Sequence, residues 1–195
     1  MVNPYLALTY GRMPPILIQY FPTGFGELIL GSFEDQLCLC DWRYRRMRDA
    51  VDARIQRGLD TSYVESTSPV IEATKDQLNA YFAGMRTAFD VPLRLVGTDF
   101  QQRVWEALRS IPYGTTETYA SLTSNVAEPT AIRAVAAANG ANAISIIVPC
   151  HRIIGSSGEL VGYAGGLPAK KKLLQLEGAL KGQPELDFFS AQVDV

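Results

Sequence analysis

The chain of 195 residues contains a single histidine, and that histidine directly follows a cysteine, in Cys150-His151. A thiolate is the competent form of a cysteine nucleophile, and an adjacent base or cation raises its population. The pair stands where the apolar run Ile144–Val148 meets Pro149, which has no N–H for a ladder and forces a turn. Side chains ending on such a turn can face a cleft. Composition alone leaves two readings open: a reactive thiol with its base, or a buried inert thiol beside a structural histidine. Adjacency adds a constraint, because neighbours point to opposite faces of a strand and lie about 100° apart on a helix. Direct contact between thiol and imidazole is therefore not assured, and a bridging water could relay the proton.

The two other cysteines alternate with leucine in Leu37-Cys38-Leu39-Cys40, a pattern that puts both on one face of a strand. Three cysteines cannot build a disulfide framework in a chain of this length. With one histidine and no second cysteine pair, burial as small apolar side chains is favoured over metal ligation.

The elements that must position Cys150 fall into two groups. Residues 16–42 read as a small antiparallel meander: Ile16–Phe21, a turn at Pro22–Gly26, Glu27–Phe33, a turn at Glu34-Asp35-Gln36, and Leu37–Trp42. Tyr44–Leu59 reads as a helix whose mixed arginines and aspartates suit a solvated face. Ser68-Pro69 is a helix start with Ser as N-cap, running to Phe82 and ended by Gly84. Asp90–Gly97, with Pro92, reads as an extended linker or edge strand. Beyond it the periodicity turns helical over Phe100–Ile111, broken by Pro112-Tyr113-Gly114. Glu117–Asn125 and Thr130–Asn139 make two short helices with helix-turn-helix spacing. The second is rich in alanine, which serves either close approach to another surface or tight packing. Ile144–Val148 reads as a buried strand, Ile153–Val161 as a hairpin about Ser156-Ser157-Gly158, and Pro168–Ala179 as a final helix.

The fold class is therefore α/β (α+β): a small N-terminal antiparallel sheet with helices, then a mostly helical C-terminal part with a helix-turn-helix unit. The expected division is a structural domain over 1–90, a linker over 91–97, a functional domain over 98–182, and a flexible acidic tail over 183–195. Hydrophobic residues make up 47% and charged residues 19%, a globular balance. No apolar run is long enough to span a membrane, and Met1–Tyr10 has no signal-peptide pattern, so a cytoplasmic protein is expected. The net charge of −2 argues against a strongly nucleic-acid-binding chain, but its distribution is uneven. Residues 98–182 carry 8 basic and 6 acidic side chains, whereas the tail carries 3 acids and no base. Only the 98–182 segment offers a mildly basic face, whose nucleic-acid affinity would fall with salt.

Ile146-Ile147-Val148-Pro149-Cys150-His151-Arg152-Ile153-Ile154 resembles the active-site segment of the 6-O-alkylguanine-DNA alkyltransferases, also called methylated-DNA–protein-cysteine methyltransferases. The likeness extends over Phe100–Gly114, Tyr119, Arg133-Ala134-Val135, Asn139-Gly140, Asn142, Gly162–Gly166, Leu173-Leu174 and Glu177-Gly178. It covers residues 98–180 strongly and the first 97 only in layout.

The resemblance implies a role for each matching residue. Cys150 is the alkyl acceptor, His151 takes its proton through water, and Glu177 orients and polarises His151. Asn142 is the hinge between recognition helix and active-site segment, and Tyr163 stabilises the departing guanine. Tyr119 crowds the phosphate beside a flipped nucleotide, and Arg133 fills the vacated stack. Ala134 lets its helix enter the minor groove, and Ser156 contacts a phosphate. Arg152 fits an ion pair that holds the active-site turn better than it fits a chemical step. The implied partner is double-stranded DNA carrying 6-O-alkylguanine, bound by a monomer, with no membrane. No cofactor is implied, and with His151 committed no metal is expected, although some relatives carry zinc near the N-terminus. Two rivals are a lesion binder without an acceptor, disfavoured by the presence of Cys150, and a thiol hydrolase that turns over.

Overall fold

The computed structural model describes residues 13–180. The expectations for Met1–Tyr10 and for the acidic tail lie outside the described residues. Strands β1 (Ile16–Thr23), β2 (Gly26–Phe33) and β3 (Gln36–Trp42) form the antiparallel meander. Glu34 and Asp35 join β2 to β3 with φ of 46° and 60°, the left-handed pair that matches the twist of a two-residue hairpin. A short fourth strand, β4 (Tyr63–Glu65), pairs parallel to β1 and gives the order β3-β2-β1-β4. Three residues are too few to show a period of two, so this parallel edge has no signature in the sequence.

The pairing shifts from Gly31↔Leu39 to Ser32↔Leu37, a bulge that leaves Cys38 without a partner. As a result Cys38 and Cys40 do not share a face, contrary to strict alternation. Cys38 is buried with Ile16, Ile29, Val51 and Ile55, whereas Cys40 joins Leu28, Leu30 and Trp42 on the opposite side.

Helix α1 (Arg48–Gly58) covers the first face through Val51 and Ile55. It starts four residues later than its charge pattern suggests, because Arg43–Met47 forms a run of turns in which Arg45 is buried. Helix α2 (Pro69–Phe82) covers the other face. Ser68 Oγ accepts from Ile71 N at 3.2 Å, Pro69 occupies the first turn, and Gly84 follows the end with φ +71°.

The second half adds α3 (Asp99–Arg109), β5 (Glu117–Thr118), α4 (Tyr119–Val126), α5 (Ile132–Gly140), β6 (Ile153–Ile154) and α6 (Gly166–Leu176). Helices α4 and α5 are the helix-turn-helix pair, joined through a 3₁₀ turn at Pro129–Ala131, and both pack on α3. Trp105 Nε1 on α3 donates to Ala138 O on α5 at 2.8 Å, which fixes the approach of the two helices. The alanines of α5 serve both purposes. Ala138 is buried against α3, while Ala134 and Ala137 are exposed with Arg133.

One apolar cluster draws on both halves, with Leu28, Leu30, Ile71 and Leu78 from the first and Val104, Trp105, Leu108 and Leu173 from the second. Burying each such side chain stabilises by about 1.5–3 kcal/mol, so a few shared residues suffice to fix one half on the other. Leu37 N bonds Pro92 O and Arg94 N bonds Leu37 O, so residues 92–94 run extended along β3. Among the described residues, no helix is long and apolar enough to cross a membrane.

Two sequence expectations fail near Cys150. Ile144–Val148 is buried but is not a strand: Val148 N returns to Ile144 O at 2.9 Å, and Ile146 has φ +74°. Of the hairpin Ile153–Val161, only Ile153–Ile154 is extended, paired parallel to Glu117–Thr118. The turn does close, by Gly155 N to Glu159 O at 2.9 Å, but the returning arm has no strand to join.

Candidate active site

Helix α5 ends at Gly140, and the chain then folds on itself until Cys150. Asn142 organises this loop from its centre. Its Oδ1 accepts from Ile144 N at 2.9 Å, and its Nδ2 donates to Val148 O at 2.9 Å and to Cys150 Sγ at 3.2 Å. An asparagine amide offers one acceptor and two donors, and the loop uses all three. The same loop forces Ile146 into a left-handed conformation that costs a β-branched residue of order 1–3 kcal/mol. The apolar burial of Ile144, Ile146 and Val148 and the Asn142 bonds hold it there.

Cys150–Arg152 forms one 3₁₀ turn immediately after Pro149. Three residues per turn separate neighbouring side chains by about 120°, so Cys150 and His151 diverge. Cys150 Sγ lies in a cavity of ≈ 260 Å³ shared with Tyr119, Asn139, Asn142, Tyr163 and, from the first half, Arg46 and Met47. Burial pushes its thiol up, and the Asn142 donor opposes that rise, so the resting group is a thiol that must lose its proton on reacting. Sγ and the imidazole share no hydrogen bond.

His151 points away into a fully buried polar array. Its Nε2 lies 2.9 Å from Glu177 Oε1, while its Nδ1 is buried with no protein partner. Glu177 caps the C-terminal end of α6, where the helix dipole disfavours an anion. Donors from three other segments compensate: Arg152 Nε and Nη2 at 2.9 Å each, Tyr81 Oη of α2 at 2.6 Å, and Gly114 N at 3.3 Å. Burial alone would raise the carboxyl, but the bonds from His151 and Arg152 outweigh it and hold the group at about 2. Burial also lowers His151, against the pull of Glu177, so the imidazole is neutral near pH 7. With a proton on Nε2 facing the carboxylate, Nδ1 is left as the acceptor. Arg152 also donates to Ile111 O, so its work is structural.

The structure thus gathers Cys150, His151, Glu177, Asn142, Tyr163 and Tyr119 around one site. Tyr163 sits edge-on to Trp42 and His151, with centroids 5.8 and 6.2 Å away, and among the described residues its buried hydroxyl makes no well-formed hydrogen bond, only a weak contact from the Trp42 indole. Burial holds that phenol well above its ordinary range, so it remains a donor. Tyr119 Oη accepts from Asn139 Nδ2 at 3.4 Å. Arg133 and Ala134 lie outside the cavity on the exposed face of α5, and Ser156 is exposed at the tip of the 155–158 turn.

Residues with no advance signal also take part. Arg45, Arg46 and Met47 line the cavity from a segment that reads as a solvated helix, and Arg45 is buried. Lys170 is buried, donates to Ile153 O and to Val161 O, and is pushed down to about 8 by burial. Its lysine-rich helix resembles any solvated one. A larger cleft of ≈ 740 Å³, between α1, residues 93–98 and α3, shares no lining residue with the Cys150 cavity and is lined by no cysteine or histidine. Among the described residues, no group of three or more His, Cys, Asp or Glu is placed to hold a metal.

Comparison with known proteins matches this arrangement. Residues 99–179 fit the family model described as 6-O-methylguanine DNA methyltransferase, DNA binding domain, and residues 16–95 fit its ribonuclease-like domain. A methylated-DNA–protein-cysteine methyltransferase of Mycobacterium bovis is 62% identical over 102 residues, covering 52% of this chain and 62% of that relative, so the match spans less than two thirds of its length. The homologous methyltransferase of Methanosarcina barkeri is 49% identical over 152 residues, 78% of this chain and 90% of the relative. Among solved structures, Mycobacterium tuberculosis OGT in complex with DNA superposes with a TM-score of 0.71 at 42% identity, covering 84% of this chain and 93% of that one. On the strength of the matches over both halves, the chain belongs to the methylated-DNA–protein-cysteine methyltransferase family.

Proposed function

We propose that this protein repairs alkylated DNA by transferring the alkyl group of 6-O-alkylguanine to Cys150, once per molecule and without a cofactor. The single observation that carries this reading is a thiol set in a base-sized cavity by the Asn142 amide, next to a neutral histidine whose Nε2 is held by the Glu177–Arg152 array and whose Nδ1 is left to accept a proton. Sulfur attacks the alkyl carbon in line. The S–C bond forms, the O6–C bond breaks, and its electron pair leaves on guanine. The thiol proton passes through a water to His151, which later returns it to solvent; guanine takes up one proton from water as it leaves, its developing charge held by a hydrogen bond from the buried Tyr163 hydroxyl of the cavity. The thioether is stable, so the acceptor is consumed.

The alkyl carbon of a stacked base cannot reach a thiol that is only 4% exposed, so the nucleotide must leave the duplex at a cost of a few kcal/mol. Exposed Arg133 and Ala134 give α5 a slim, singly charged face suited to the minor groove, with Arg133 filling the gap and Tyr119 beside the flipped phosphate. Ser156 reaches a neighbouring phosphate. In this reading residues 98–182 hold the acceptor and the DNA face, residues 91–97 link them to a supporting domain over 1–90, and the protein works as a cytoplasmic monomer on double-stranded DNA.

The test is incubation with DNA carrying an isotopically labelled methyl on guanine, followed by intact and peptide mass analysis. One label per protein, on the peptide containing Cys150, is expected. Product released beyond one equivalent would identify a turning-over hydrolase, and absence of a stable adduct at Cys150 would overturn the proposal.

A further inference from the structure

The loop that holds the nucleophile is itself held from the other half of the chain. Because α5 ends at Gly140, its last carbonyls have no partner within the helix and carry the negative end of its dipole. Those of Ala137, Ala138 and Asn139 are met by the backbone N–H groups of Ala141 and Asn142 and by Trp105, whereas Gly140 O and the three carbonyls after it are taken by the β3–α1 region. Arg45 Nη2 donates to Gly140 O at 2.5 Å and its Nη1 to Asn142 O at 2.8 Å. Arg54 Nη2 donates to Ala141 O at 2.7 Å, and Cys40 N to Ala143 O at 2.9 Å. Asp41 Oδ1 accepts from Ser145 Oγ at 2.9 Å, and its Oδ2 fixes Arg45 Nη1 at 2.6 Å. The side chains of Asp41 and Arg45 are 0% and 5% exposed, so both ends of this clamp are shielded from water.

We propose that Arg45 is a positioning residue for alkyl transfer: it clamps the backbone of Asn142 and, through the Asn142 amide, sets Cys150 Sγ in the cavity. The chain of contacts is continuous. The guanidinium holds Asn142 O, the same residue's Nδ2 holds Sγ, and the intervening loop contains Ile146 at φ +74°. A planar fork reaches two carbonyls two residues apart, which a lysine ammonium on a flexible stem cannot hold together as well. The electrostatics point the same way. Burial raises the thiol, Asn142, Arg45 and Lys170 favour its ionised form, and Asp41 disfavours it; Arg46, Tyr119 and Tyr163 also line the cavity that holds the sulfur. The first half of the chain is then part of the reactive apparatus and not only its support.

This inference rests on the alkyl-transfer reading, and the experiment separates the two. Wild type, Arg45→Met and Arg45→Lys are compared in single-turnover transfer at saturating lesion DNA, in the pH dependence of Cys150 modification by iodoacetamide, and in thermal unfolding. Displacing a reacting group by a fraction of an ångström to 1 Å slows chemistry by about 10- to 100-fold, and Arg45→Met is expected to fall in that range with its thiol profile moved to higher pH. Arg45→Lys is expected to recover part of both. A purely structural clamp would lower the melting temperature and leave rate and profile at wild-type values, which overturns the proposal. If Arg45→Met does not fold, Arg45→Lys decides alone: wild-type rate and profile in that variant refute the positioning role. If wild type itself gains no methyl on Cys150, the alkyl-transfer reading fails instead.

Discussion

Replacing Glu177 with glutamine keeps the shape of the buried array and removes its only anion. Oε1 receives Tyr81, His151 and Arg152 Nη2, while Oε2 receives Gly114 N and Arg152 Nε. Whichever way the new amide turns, its NH₂ meets donors, and the Arg152 guanidinium is left buried without a counter-charge. Breaking a buried pair on one side costs about 3–5 kcal/mol. A second route gives a similar figure: a carboxyl held at about 2 instead of its ordinary 4.5 contributes about 3 kcal/mol at neutral pH. With a urea slope of about 2 kcal/mol/M, the unfolding midpoint of Glu177→Gln should fall by about 1.5–2.5 M.

The pH dependence has a definite sign. A carboxyl whose folded pKa is depressed stabilises fully above its unfolded value and loses that contribution as pH falls through the folded one. The gap between wild type and Glu177→Gln should therefore be constant above about pH 5 and narrow between 4.5 and 2. Transfer to Cys150 at neutral pH should also slow by about 100-fold, because His151 loses the acceptor that orients it. Urea titrations at several pH values and single-turnover assays measure both effects. A variant within 1 kcal/mol of wild type, or a gap that ignores acid, would refute the assignment of Glu177 as the anion that holds the array together.

Burial lowers His151, so its proton-accepting form persists to below the ordinary histidine value of 6.5; single-turnover transfer should be flat through that pH on acidification and fall only beneath it, and a rate unchanged in acid would exclude a basic role. Tyr163→Phe removes a buried hydroxyl whose hydrogen bonding among the described residues is limited to a weak contact from the Trp42 indole, so stability should change little while transfer slows by about 100-fold; equal rates would remove Tyr163 from the departure of guanine. Arg133 is exposed and makes no hydrogen bond or ion pair among the described residues, so Arg133→Ala should change stability by less than about 0.5 kcal/mol. Its transfer from duplex DNA should drop far more than its reaction with free 6-O-alkylguanine, and an equal drop on both substrates would contradict a role in holding the base out of the stack.

The meander, α2 with its Ser68 cap, and the helical pattern of 100–140 were legible because local rules govern them: alternation, capping and a period of 3.6 act within a few residues. The Cys150–His151 pair and the motif about it were equally legible, and they carried the family. Legibility ended where contacts are long-range. Alternation put Cys38 and Cys40 on one face until a bulge separated them. The apolar run before Pro149 looked like a strand, since burial and extension leave the same mark in sequence, yet Asn142 bends it into a loop. The arginines of 44–59 read as solvated because charge is normally solvated. Only the tertiary fold shows Arg45 shielded against Asp41 and the end of α5.

Residue identity and order alone nominated Cys150 and His151 as acceptor and base, because a thiol and an imidazole are chemistry that no fold can create or remove. The tertiary structure alone decided how they are poised: that His151 turns from its neighbour toward Glu177, that Asn142 reaches the sulfur, and that the first half grips the loop. Protonation, orientation and strain depend on distance and dielectric, and those come into being only when segments far apart in the chain exclude water together.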